Sequence, residues 1–142
     1  MSTALIILAA GQGTRMNSEL PKVLHQLGGA PLFAHALMSG QSLTPERTIL
    51  VTGVGGDQVA AEALKFDPDI EIVVQSEQLG TGHAVLQAGE ALKDFDGDVI
   101  VLYGDTPFVR PETIVRMAEA RQTSDIVVLG FEPADPKRYG RL

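Results

Sequence analysis

The chain has 142 residues, enough for one domain with a sizeable core and few for two. Hydrophobic residues make up 44% and charged residues 20%, the balance of a soluble globular protein, and the lack of cysteine excludes disulfides, thiolate zinc sites and cysteine nucleophiles. The formal net charge of −7 argues against a nucleic-acid partner, three scattered histidines argue against a zinc site, and no apolar run reaches membrane-spanning length. The start, Met1-Ser2-Thr3, lacks the basic segment of a signal peptide, so the expected compartment is the cytosol and no membrane partner is expected.

Short apolar runs alternate with helix-length amphipathic stretches. Residues 4–9 form a run of strand length that ends at glycines. Residues 32–42 read as a helix opening just after Pro31. Residues 48–52 are a second strand, followed by Gly53 and Gly55-Gly56, and residues 57–65 a helix with Asp57 in the capping position. Residues 70–75 are a third strand and 81–92 a third helix. Residues 98–103 form a fourth strand ended by Gly104-Asp105, residues 112–122 a helix opening after Pro111, and residues 125–131 a fifth strand. Continuous β-branched runs suit strands buried on both faces, as in a parallel sheet. The alternation predicts a doubly wound, Rossmann-like α/β fold with a mostly parallel sheet and ligands at the carboxyl ends of its strands. There is no internal repeat or low-complexity tract. Residues 132–142 carry Pro133 and Pro136 and stop without a final element, so the chain is expected to be the first part of a longer domain.

After the first strand comes Leu8-Ala9-Ala10-Gly11-Gln12-Gly13-Thr14-Arg15-Met16. Glycines at such a turn let backbone N–H groups approach phosphate oxygens, Thr14 adds a hydroxyl donor, and Arg15 adds a permanently charged planar fork. Pro21-Lys22 supplies a second cation on a stiffened segment. The loop is not a dinucleotide fingerprint, because Met16 stands where the third glycine is needed, and no G-K-[ST] of a Walker A loop occurs. A G-x-G after a strand reads equally as a plain turn; Thr14, Arg15 and Lys22 together favour phosphate.

Two later motifs fall at strand ends. Gln75-Ser76-Glu77-Gln78-Leu79-Gly80-Thr81-Gly82-His83-Ala84 offers amides that can read a base edge, glycines for close approach, and Thr81 as a helix cap or ligand contact. Solvated glutamines and a structural histidine are the plainer alternatives. Tyr103-Gly104-Asp105-Thr106-Pro107 puts a carboxylate beside the phosphate loop, where it can hold Mg²⁺, while Gly104 leaves room for ribose or ion. An Asx-turn before Pro107 is the alternative for Asp105.

The first motif, continued by Leu20-Pro21-Lys22, closely resembles the signature of sugar-phosphate nucleotidyltransferases. The string from Gln75 to Ala84 narrows the likeness: the chain resembles the bacterial bifunctional N-acetylglucosamine-1-phosphate uridyltransferase family, in the first part of its pyrophosphorylase domain. That resemblance implies uridylyl transfer from UTP to N-acetylglucosamine 1-phosphate, giving UDP-N-acetylglucosamine and pyrophosphate for cell-envelope precursors. It implies catalytic roles for Arg15 and Lys22 and nucleotide or substrate contacts for Leu8, Ala9, Ala10, Gly11, Gly13, Thr14, Lys22, Gln75, Gln78, Gly80, Thr81, Tyr103 and Gly104. Asp105 takes the role of a Mg²⁺ ligand, and the family's second ligand, an asparagine, corresponds to a position past Leu142. Tyr139-Gly140-Arg141 resembles the family's sugar-contacting segment, which assigns Gly140 to the substrate, although Arg138 stands where that family often has glycine. His25, in Pro21-Lys22-Val23-Leu24-His25, is assigned no chemistry. Family members continue into a left-handed β-helix that acetylates and trimerises, and residues 1–142 are expected to carry none of it. The alternatives are another sugar-1-phosphate nucleotidyltransferase, or a nucleotide-binding piece without turnover.

Overall fold

The structure is a computed structural model, and it describes residues 2–11, 18–135, 137 and 139–140. Strand β1 (Thr3–Ala9) lies inside a four-stranded parallel sheet. Its neighbours are β4 (Arg47–Gly53) on one side and β6 (Asp98–Tyr103) on the other, with β5 (Glu71–Gln75) outside β4. The order β5-β4-β1-β6 makes the chain reverse its direction of travel across the sheet between β1 and β6. In a doubly wound sheet that reversal opens a crevice above the strand ends.

β1 shows why its sequence is apolar at every position from Ala4 to Ala9. Leu5, Ile7 and Ala9 face one side, in a core with Phe33, Leu37, Leu50, Val59, Ala63 and Ile114. Ile6 and Leu8 face the other, against Ile49, Val51, Ala84 and Ala88. Helices α1 (Leu32–Gly40), α2 (Asp57–Phe66) and α4 (Pro111–Arg121) supply the first layer, and α3 (Thr81–Leu86) supplies the second. The sheet is thus covered on both faces, as the doubly wound reading requires. At its edge, Arg47 and Glu71 join β4 to β5 by a two-pronged ion pair, with Arg47 Nε donating to Glu71 Oε1 at 2.7 Å and an Nη to Oε2 at 2.6 Å.

Several sequence expectations need correction. Residues 125–131 form no strand. They pair with no strand although β6 leaves one sheet edge open, and Ile126, Val128, Leu129 and Phe131 stay exposed instead of packing on a pleated surface. The third helix ends at Leu86 rather than at residue 92. The chain continues in tight turns such as Ala88 N–H to Val85 O at 3.0 Å, which still bury Ala88, so the amphipathic face survives the change in winding. The cap of α2 is Gly56, not Asp57, which sits in the first turn where its charge favours the helix dipole. Thr81 likewise begins α3 behind Gly80 without capping it. One unforeseen element is a small hairpin of β2 (Gln26–Leu27) and β3 (Ala30–Pro31). Its two-residue turn, Gly28-Gly29, has φ of +60° and +87°, which two glycines adopt without strain.

Candidate nucleotide site

The carboxyl ends of β1, β5 and β6 open onto a cleft of about 550 Å³. Leu8, Ala9, Ala10 and Gly11 line it from β1, Gln75, Gln78, Gly80, Thr81 and Ala84 from the β5–α3 side, and Tyr103 and Asp105 from the end of β6. Lys22 and Val23 complete it from the 3-10 turn Lys22–Leu24, which follows Pro21. Eleven residues named from the sequence therefore share one cleft: Leu8, Ala9, Ala10, Gly11, Lys22, Gln75, Gln78, Gly80, Thr81, Tyr103 and Asp105. Gly13, Thr14 and Arg15 lie outside the described residues.

Lys22 and Asp105 are far apart in sequence and meet here. Lys22 Nζ donates to Asp105 Oδ2 at 2.7 Å, with side chains 38% and 35% exposed. An ion pair this open contributes only about 0–1 kcal/mol. A phosphate or a divalent cation can therefore compete for either partner at little cost in folding. Among the described residues no group of three or more His, Asp and Glu side chains comes together that could cage a metal.

Gln75 is 4% exposed, and its amide is held inside the wall. Its Nε2 donates to the Gly80 carbonyl at 3.2 Å and stands 3.0 Å from His83 Nδ1. Gln78 behaves differently: its Nε2 donates to the Ala10 carbonyl at 2.8 Å and ties the β5–α3 loop to the end of β1. His83 Nε2 lies 3.2 Å from the Gln87 amide nitrogen, which also lies 3.1 Å from the His83 carbonyl. The sequence reading of His83 as structural named no partner for it. The signal was its spacing, with Gln87 one turn along the same face.

Two named residues do not line the cleft. Gly140 is one. Gly104 is the other: it is buried, and its N–H donates to the Leu8 carbonyl at 2.9 Å, locking the end of β6 against β1. A Cβ there would sit 3.0 Å from that carbonyl oxygen and 3.3 Å from Val23 Cγ1. Gly104 thus allows close packing of the end of β6 against β1 under the cleft. Gly104→Ala is expected to destabilise by about 1–3 kcal/mol through overpacking. Urea unfolding checks this, and an unchanged midpoint would contradict it.

Residues 5–137 match the family of MobA-like NTP transferase domains. The chain belongs to that family. The bifunctional protein GlmU of Cereibacter sphaeroides is 63% identical to this MobA-like domain over 141 residues, 99% of the chain and 31% of that protein. The bifunctional protein GlmU of a Ruegeria species is 62% identical over 142 residues, 100% of the chain and 32% of that protein. The chain spans about a third of the length of the curated relatives it matches. A solved nucleotidyl transferase from Methanothermobacter thermautotroptrophicus superposes with a TM-score of 0.69 at 26% identity, over 83% of this chain and 57% of that one. The likeness to bifunctional relatives read from the motifs, and the α/β nucleotidyltransferase fold, both hold. Among the described residues no helix is long and apolar enough to cross a membrane.

Proposed function

We propose that the cleft holds UTP and that the protein transfers its uridylyl group to N-acetylglucosamine 1-phosphate. The observation that carries this reading is the meeting of Lys22 and Asp105 on one wall, with the amides of Gln75 and Gln78 on another. Cation and carboxylate suit the phosphate end, and amides suit the base. The identity to bifunctional relatives supports the same assignment.

The chemistry is an in-line displacement. A phosphate oxygen of the sugar 1-phosphate attacks the α-phosphorus, the bond from that phosphorus to the bridging oxygen breaks, and pyrophosphate leaves with the electron pair. The substrate is its own nucleophile, so catalysis reduces to positioning and charge neutralisation. Lys22 holds phosphate charge, and Arg15, outside the described residues, is assigned a guanidinium role on phosphate by its motif alone. Asp105 fits Mg²⁺, which keeps several waters and binds through one or two carboxylates plus substrate phosphates; when bound it supplies charge neutralisation. Residues 1–142 serve as the first part of the transferase domain, and trimer formation belongs to a β-helical domain of the whole protein.

The test is to mix the protein with UTP, Mg²⁺ and N-acetylglucosamine 1-phosphate. Pyrophosphate and UDP-N-acetylglucosamine should appear in equal amounts. Faster product formation with CTP, GTP or dTTP would reassign the nucleotide. Nucleotide binding without any product would favour a binding piece lacking turnover.

A further inference from the structure

Lys22 and Asp105 are the two charged side chains among the described residues that line the cleft, and they satisfy each other. Their backbones are held from outside the pair. Lys22 opens a 3-10 turn whose Val23 and Leu24 are buried, and its carbonyl accepts from the His25 N–H at 3.1 Å. Asp105 sits between Gly104, tied to the Leu8 carbonyl at 2.9 Å, and Thr106, whose N–H and hydroxyl both donate to the Tyr103 carbonyl, at 3.2 and 3.0 Å. The charged ends are the parts left to exchange partners. Nζ is a compact charge on a flexible stem, 2.7 Å from Oδ2, and both side chains reach solvent.

A phosphate approaching this wall meets a carboxylate as well as an ammonium. If it draws Lys22 away, Asp105 loses its counter-charge beside the incoming negative charge, and like charges at short range repel. A phosphate that arrives with a divalent cation brings a new partner for the carboxylate. We propose that Asp105 is an internal counter-ion that restrains Lys22, so that the cleft disfavours a metal-free triphosphate and accepts the metal-loaded one. The proposal rests on the nucleotide reading of the cleft. It is distinct from holding a metal, because it acts when none is present and has the opposite sign: there the carboxylate weakens nucleotide binding.

The experiment measures UTP binding by calorimetry in EDTA and in Mg²⁺, for the unaltered chain, Asp105→Asn, Lys22→Met and the double variant. Asparagine keeps the shape of the side chain and removes its charge. In EDTA, Asp105→Asn is expected to bind UTP about fivefold more tightly than the unaltered chain, the equivalent of one open ion pair released. Asp105→Ala, which removes the charge with a different side chain, should show the same gain. In Mg²⁺ both substitutions should weaken binding. The double variant shows whether the gain passes through Lys22: in the Lys22→Met background most of it should vanish. Urea unfolding reports that each variant is folded. An equal gain in the Lys22→Met background would make the effect plain repulsion by the carboxylate and overturn the proposal. Unchanged or weaker metal-free binding by folded Asp105→Asn and Asp105→Ala also overturns it, and leaves the nucleotide reading intact when the unaltered chain binds UTP with Mg²⁺. No UTP binding by any of these proteins in either buffer overturns both.

Discussion

Lys22→Ala is expected to lower the turnover of uridylyl transfer by about 100- to 1,000-fold, the usual loss when one preorganised charge is removed from a transition state. Its partner geometry makes the variant a clean probe. The ammonium pairs with Asp105 at 2.7 Å, but both side chains are more than a third exposed, or close to it, so the pair contributes little to folding. Thermal unfolding should move by no more than a few degrees, since about 1 kcal/mol shifts the midpoint of a domain this size by roughly 2–8 °C. The two readouts together separate the roles. A large fall in kcat at constant stability supports a phosphate-holding cation. Near-normal kcat would remove Lys22 from the site's chemistry, and a fall in rate matched by loss of folded protein would make it a structural residue.

Phe33→Ala is the second large effect, and it concerns the fold alone. Phe33 is fully buried in α1, and its ring meets Phe66 of α2 edge-on, with centroids 5.7 Å apart and planes at 87°. It packs in the same core as Leu5, Ile7, Leu37 and Ile114. Truncating a buried phenylalanine costs about 3–5 kcal/mol, because transfer energy and an unfilled cavity add. Domains are stable by only about 5–15 kcal/mol in all, so this variant stands near the folding threshold. Urea unfolding should show a much lower midpoint with an unchanged slope. A loss below about 1 kcal/mol would mean that α1 does not anchor this layer.

The sequence carried the fold wherever burial dictates composition. β1 is apolar at consecutive positions because both of its faces are covered, and that pattern is visible without coordinates. Residues 125–131 look the same and form no strand although β6 leaves a free sheet edge, because β propensity reports fit to a half-buried pleated surface and most of their large side chains stay exposed. The Gly28-Gly29 turn was legible by its dipeptide alone and was passed over, since the segments it joins are only two residues long.

The site divides in the same way. Gly11, Lys22, Gln75, Gln78 and Asp105, all named from motifs, line one cleft. Their mutual arrangement was not legible in those motifs. Nothing local relates Lys22 to Asp105; the parallel pairing of β1 and β6 brings them together. Gln75 could be named as a base reader, but its burial and its contacts with Gly80 and His83 depend on how α3 folds back over the strand end. Gly104 has a packing role that its motif did not show: it allows the Leu8 carbonyl to approach.

The most direct test of the central claim is a calorimetric titration of UTP with Mg²⁺ into the chain and into its Lys22→Ala variant. Saturable one-to-one binding, weakened about tenfold or more in the variant, is the predicted result for a cleft whose ammonium holds the triphosphate. No binding to the unaltered chain, or equal affinity in both, would contradict it.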